Sequence, residues 1–179
     1  MINYLHMRVL IAEDELDIAL SYRRALERNK HEVIITPDGE ECIETYRRNL
    51  AQVSKATNNS SSSLAFDAVI LDYKMPKKDG IEVAKEILKM NSKQRIIFAS
   101  AYVKETLEDA VKQLKRVVEL MQKPFDANAL VDTIEDREVY ENLKDLMKSV
   151  RKIREDQPTQ KQIKDLLESL KKIQKRRTF

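Results

Sequence analysis

The sequence predicts an α/β domain built on a doubly wound, five-stranded parallel sheet, followed by a C-terminal helical hairpin. Three observations carry this. Short apolar runs with little polar alternation recur along the first three quarters of the chain, as in strands buried on both faces. Stretches with apolar residues at helical spacing lie between them. Beyond Asp136 the strand-like runs stop and a coiled-coil-like spacing takes over.

The first strand is Arg8-Val9-Leu10-Ile11-Ala12, which ends in the acids Glu13-Asp14-Glu15. A helix follows, with Leu16, Ala19, Leu20, Arg23 and Leu26 spaced to share a face. Glu32-Val33-Ile34-Ile35-Thr36 is the second strand, and Asp38-Gly39 turns into a helix through Cys42, Ile43 and Tyr46. Residues 54–64 are rich in Ser and Asn, bury nothing, and predict a mobile loop. Phe66 to Leu71 is the third strand, running up to Asp72. The next helix opens near Asp79-Gly80 and carries Ile81, Val83, Ala84, Ile87 and Leu88. Arg95 to Ala99 is the fourth strand, running up to Ser100. A charged helix is expected from Lys104 to Lys115, a fifth strand from Val117 to Met121, and a last helix from Asp126 to Glu135. Strands alternating with helices give a parallel sheet covered on both faces.

In the extension, Val139, Leu143, Leu146, Val150 and Ile153 repeat at coiled-coil spacing, and Pro158 interrupts the helix. Thr159 and Gln162 form a capping box for a second arm carrying Ile163, Leu166, Leu167, Leu170 and Ile173. The predicted division is therefore a domain over 7–135 and a basic helical hairpin over 136–179. Charge divides at the same place, with about 13 basic and 8 acidic side chains after residue 135 in a chain whose net charge is +3.

Composition excludes several classes. The 179 residues hold two glycines, too few for a glycine-rich phosphate loop, and a single cysteine, Cys42, which cannot form an intrachain disulfide. Cys42 lies on an apolar helix face and reads as core. No apolar run approaches the ~20 residues of a membrane span, and Met1 to Arg8 lacks the pattern of a signal peptide. A cytoplasmic protein without a membrane partner is expected. His6 and His31 fall outside any cluster of ligand-type residues.

The polar residues that carry chemistry fall at strand ends. In an open parallel sheet, ligands bind at the carboxyl ends of the strands, where strand order reverses. Strand one ends in Glu13-Asp14, strand three in Asp72, strand four in Ser100 and strand five in Lys123. Taken singly, the acids are ordinary helix caps and Lys123-Pro124 an ordinary strand stop; jointly they form one crevice. Clustered carboxylates repel, and a hard cation such as Mg²⁺ relieves that repulsion while leaving positions for phosphate oxygens. Asp72 then serves as metal ligand and nucleophile, giving an acyl phosphate. Lys123 and the Ser100 hydroxyl neutralise the remaining phosphoryl oxygens.

These residues give the resemblance. With Ala12-Glu13-Asp14, Leu71-Asp72-Tyr73-Lys74-Met75-Pro76, Asp79-Gly80, Ser100-Ala101 and Lys123-Pro124-Phe125 in this order, the chain from Met7 to Glu135 resembles the receiver domain of two-component response regulators. The resemblance implies Asp72 as phosphoacceptor, Asp14 and Asp72 as direct Mg²⁺ ligands, Glu13 acting through water, and the main-chain carbonyl of Lys74 as a further ligand. It also implies a cis bond between Lys123 and Pro124, a histidine kinase as donor, and an output protein as the receiver of the signal.

Two positions depart from the family's usual pattern. Leu120 stands where the family places an aromatic switch residue, which mutes or reroutes the usual coupling. Tyr102 stands two residues past Ser100, where its bulk is expected to slow attacking water. Output is expected through protein–protein contact, with a homodimer through the C-terminal helices as one assembly the stripes allow. The alternative is DNA binding by the basic hairpin, but the extension lacks a recognition helix, zinc ligands and base-stacking aromatics. A phosphatase would need a second acid two residues after the nucleophile, where Lys74 stands, so no enzyme beyond self-phosphorylation at Asp72 is expected.

Overall fold

A computed structural model describes residues 6–56, 64–101, 114, 118–138, 140–142 and 144–146. Five strands form one parallel sheet in the order β2-β1-β3-β4-β5: β1 Arg8–Ala12, β2 Glu32–Thr36, β3 Ala68–Asp72, β4 Ile96–Ser100 and β5 Glu119–Gln122. Four helices are described in full: α1 Leu16–Arg28, α2 Gly39–Ala56, α3 Gly80–Met90 and α4 Ala127–Glu135. The chain divides into two compact units, Met1–Glu135 and Asp136–Phe179. Within the second, the described residues 137–138, 140–142 and 144–146 are helical. The helix expected over 104–115, apart from helical Leu114, and the hairpin beyond residue 146 lie outside the described residues.

Why the strands read as unbroken apolar runs is plain from the core. β1, β3 and β4 are buried almost throughout, because helices cover both faces. Alternate side chains then go to opposite sides. Leu10, Val69, Leu71, Ile96 and Phe98 pack with Cys42, Tyr46, Ile81 and Ile87 of α2 and α3. Val9, Ile11, Ile70, Ile97 and Ala99 pack with Tyr22, Leu26, Leu130 and Ile134 of α1 and α4. Burial pushes the Cys42 thiol up to about 12, consistent with an inert core residue.

Local signals set the helix ends. Asp79 accepts from the Glu82 N–H at 2.8 Å while the Glu82 carboxylate accepts from the Asp79 N–H at 3.1 Å, a complete capping box that starts α3. Asp38 supplies half of that arrangement for α2, accepting the Glu41 N–H at 2.9 Å. α1 closes with the N–H groups of Lys30 and His31 on the carbonyls of Glu27 and Leu26, at 2.9 and 3.1 Å. Lys30 sits there in the left-handed region, at φ 65°.

Four expectations need correction. The inner face of α1 is Ala19, Tyr22, Ala25 and Leu26; Leu16 is 66% exposed and Arg23 lies on the flank. The predicted loop over 54–64 begins too early, since Ser54, Lys55 and Ala56 are the last turn of α2 and the Ser54 hydroxyl donates to the Leu50 carbonyl at 2.8 Å. Residues 57–63 lie outside the described residues. β3 starts at Ala68 rather than Phe66, because the Phe66 carbonyl is taken by the buried Gln94 amide at 3.0 Å instead of a neighbouring strand. β5 starts at Glu119 rather than Val117; as an edge strand paired only to β4 it is half-buried and ends in the polar Gln122.

Candidate functional site

Strand order reverses between β1 and β3, since β1 continues through α1 to β2 on one side while β3 continues through α3 to β4 on the other. The carboxyl ends of β1 and β3 therefore lie side by side, with Ala12 opposite Leu71 in register. One residue beyond each lie Glu13 and Asp72, and then Asp14. Carboxylate oxygens of Glu13, Asp14 and Asp72 all lie within 4.8 Å of one another.

The fifth strand brings the cation. The Lys123 ammonium donates to Glu13 Oε2 at 2.7 Å and stands 3.5 Å from Asp72 Oδ2. The Lys123 N–H donates to the Ser100 carbonyl at 2.9 Å, so the ends of β4 and β5 are tied at the site itself. Ser100 is buried and lies one step past Ala99, the register partner of Asp72. The Lys123–Pro124 bond is cis.

Burial dominates the electrostatics. Desolvation raises the Glu13 carboxyl above its ordinary value, against the lowering effect of Lys123 and with help from the charges of Asp72 and Asp14. Asp72 is raised for the same first reason, and Lys123 together with the Tyr73 N–H opposes the shift. Three acids held close with one ammonium leave an excess of negative charge. In addition, Glu13 Oε1 is buried and finds no hydrogen-bond partner among the described residues. Such an orphaned acceptor is costly unless something donates to it, and a hydrated hard cation would supply both the charge and the donor. The donor set of oxygen atoms fits Mg²⁺ by that measure.

The loop from Asp72 to Gly80 is shaped by contacts rather than by secondary structure. Lys77 has φ 66°, the Lys78 N–H donates to the Pro76 carbonyl at 2.8 Å, and the Lys77 ammonium pairs with Asp38 at 2.7 Å. Gly80 returns the loop to β3: its N–H donates to the Tyr73 carbonyl at 3.0 Å, and a Cβ there would collide with the Asp72 carbonyl. Lys74 is exposed on this loop.

Of the residues singled out from sequence, Glu13, Asp14, Asp72 and Lys123 converge, and Ser100 joins through its backbone bond to Lys123. Tyr102 lies outside the described residues. Leu120 is exposed on β5, at 37%, as is Gln122. His31 is buried and bonds Glu135 at 3.1 Å, away from the acids. Sequence reading missed Tyr22, which lies close enough to the acids that Glu13, Asp72 and Glu15 add to burial in raising its phenol. The run Ile18, Tyr22, Leu26 at i, i+4 spacing was the signal that could have found it.

A parallel sheet in this order, with carboxylates and one lysine at its reversal point, defines a class of small α/β proteins whose polar chemistry sits on loops at one edge. Comparison with known proteins narrows the class. The model of the response regulator receiver domain matches residues 9–135, and the chain belongs to that family. The transcriptional regulatory protein PdtaR of Mycobacterium tuberculosis is 32% identical over 129 residues, which are 72% of this chain and 55% of PdtaR. The chain spans about half the length of the curated relatives it matches first, 55% and 48% for PdtaR and RprY. Among solved structures, a receiver domain protein from Clostridium thermocellum is similar at TM-score 0.58 and 25% identity, over 72% of this chain and 91% of that one. The CheX–CheY complex with BeF3 and magnesium from Borrelia burgdorferi is similar at TM-score 0.56 and 26% identity, over 70% of this chain and 84% of that one. This is the receiver domain of a two-component response regulator. Among the described residues no helix is long and apolar enough to cross a membrane.

Proposed function

We propose that this receiver is a cytoplasmic, phosphorylation-activated switch that takes a phosphoryl group from a histidine kinase onto Asp72 and signals by protein–protein contact. The observation that carries the reading is the position of the Lys123 ammonium, 2.7 Å from Glu13 and 3.5 Å from Asp72, beside three carboxylates with an orphaned oxygen among them.

The chemistry follows from what each group can do. An Asp72 carboxylate oxygen forms the new O–P bond while the bond from phosphorus to the donor nitrogen breaks, its electron pair returning to the imidazole. Asp14, Asp72 and the Lys74 carbonyl would hold Mg²⁺, with Glu13 acting through water. When bound, the cation neutralises charge on the equatorial oxygens of the group in transfer. Lys123 gives up part of its contact with Glu13 to meet a phosphoryl oxygen, and the Ser100 hydroxyl donates to another. Burial first of all raises the Asp72 carboxyl, and a bound cation would favour its ionised form. The product adds a charge of about −1.5 to −2 at the edge of the sheet, enough to shift a two-state equilibrium read by an output partner. No catalysis beyond this self-modification is assigned. The BeF3 and magnesium in the similar CheY complex support the same reading of this site.

Incubation with acetyl phosphate and Mg²⁺ should add one phosphoryl group by intact mass, mapped to Asp72. Asp72→Asn and chelation with EDTA should each abolish it. Mg²⁺ alone should raise Tm, by about 2.7 kcal/mol of stability at a hundredfold excess over Kd, and Asp14→Asn should remove that rise. Modification at another residue, or modification that survives Asp72→Asn, would overturn the assignment.

A further inference from the structure

We propose that Tyr22 is a positioning residue for Lys123, holding the ammonium over the acid cluster by stacking on Phe125; this rests on Asp72 being the phosphoryl acceptor. The sheet stops supporting the chain at Lys123, whose N–H makes the bond to Ser100. From there to the start of α4, Lys123-Pro124-Phe125-Asp126 crosses the edge of the site, and Asp126 turns back onto the Asn128 N–H at 2.8 Å to begin the helix. The contact that pins the middle of this segment is aromatic. The rings of Phe125 and Tyr22 lie 5.3 Å apart at 12°, a near-parallel stack.

Tyr22 is suited to serve as the fixed half. It is 5% exposed and sits in the apolar layer with Ala25, Leu26, Val9 and Leu130. Its helix begins directly after Glu13-Asp14-Glu15, so α1 carries the acids at its head and, two turns on, the ring that fixes the lysine's turn. The spacing between acid and base at the site is thereby set by one rigid element. A lysine side chain has many rotamers, so anchoring the backbone two residues away narrows where its ammonium can go. The charges of Glu13, Asp72 and Glu15 reach the phenol, adding to burial in raising it.

The test uses the full chain, acetyl phosphate and Mg²⁺. Tyr22→Phe keeps the stack and should keep the wild-type rate of Asp72 phosphorylation. Tyr22→Leu should slow it by on the order of tenfold to a hundredfold at saturating phosphodonor, as a misplaced catalytic group does, while the Tm rise on adding Mg²⁺ stays as in wild type. Phe125→Leu should give the same loss, and serves if Tyr22→Leu fails to fold. In ¹³C-lysine-labelled protein, the ε-methylene signal absent from Lys123→Ala should move in Tyr22→Leu and Phe125→Leu but not in Tyr22→Phe. Folded leucine variants with the wild-type rate and an unmoved Lys123 signal would overturn the inference and leave the function standing. A wild type that gains no phosphoryl group on Asp72 would overturn both.

Discussion

At the scale of single residues, two side chains make opposite contributions that experiment can separate. Asp38 caps α2 through the Glu41 N–H and pairs with Lys77, and those two contacts, in that order, hold its carboxyl below the usual value of 3.8. A carboxyl lowered on folding contributes stability above its unfolded value and loses it as pH falls through the lowered one. Wild type should therefore lose this increment only below pH 3.8, whereas Asp38→Ala should show the loss already at pH 7, about 1 kcal/mol for the cap. Urea titrations across that range check it. Lys30 contributes the other way, since a residue with a Cβ at φ 65° is strained. Lys30→Gly should stabilise by about 1 kcal/mol, read as a shift in the urea midpoint with unchanged slope.

Elements show what the sequence could and could not reveal. β1, β2 and the starts of α2 and α3 were legible, because unbroken apolar runs and capping residues are local signals. The face of α1 was not. Leu16 is apolar and at the right spacing, yet it stands in the first turn, exposed among the described residues, and Tyr22 takes the inner position instead. Ser54 read as loop because serine-rich composition says nothing about a helix that runs on through it. In the site, residue types were readable at strand ends, but the pairing of Lys123 with Glu13 and the tether of Lys77 to Asp38 join segments far apart in sequence. The first residue of α3 is equally bound to another element. Gly80→Ala would press a methyl group into the Asp72 carbonyl, costing about 1–3 kcal/mol by overpacking and slowing phosphorylation if Asp72 is the acceptor proposed above. Thermal melts and the mass assay should show the two effects together.

For the receiver unit as a whole, the edge of the sheet is secured by one buried cation. Arg95 at the start of β4 makes two bonds to Glu119 of β5, at 2.7 and 2.9 Å, and two more to the carbonyls of Thr133 and Ile134 at the end of α4, at 2.6 and 2.8 Å. Those carbonyls are among the helix-end acceptors without partners in their own helix. Arg95→Ala would strand Glu119, whose side chain is 12% exposed, and should cost about 3–5 kcal/mol. Hydrogen exchange should then accelerate in β5 and α4 well before it does in β1 and β2. If all strands loosened equally, the edge would not be a separate unit of stability.

The glycine content of the chain has a consequence for anyone engineering it. Gly39 abuts Lys78 and Gly80 abuts Asp72, and neither glycine has a positive φ. They are there for clearance, not for flexibility. Replacing glycine by alanine, a standard way to gain thermostability by stiffening the unfolded chain, is therefore closed at both sites. Hardening this protein would have to proceed through its cap and charge positions.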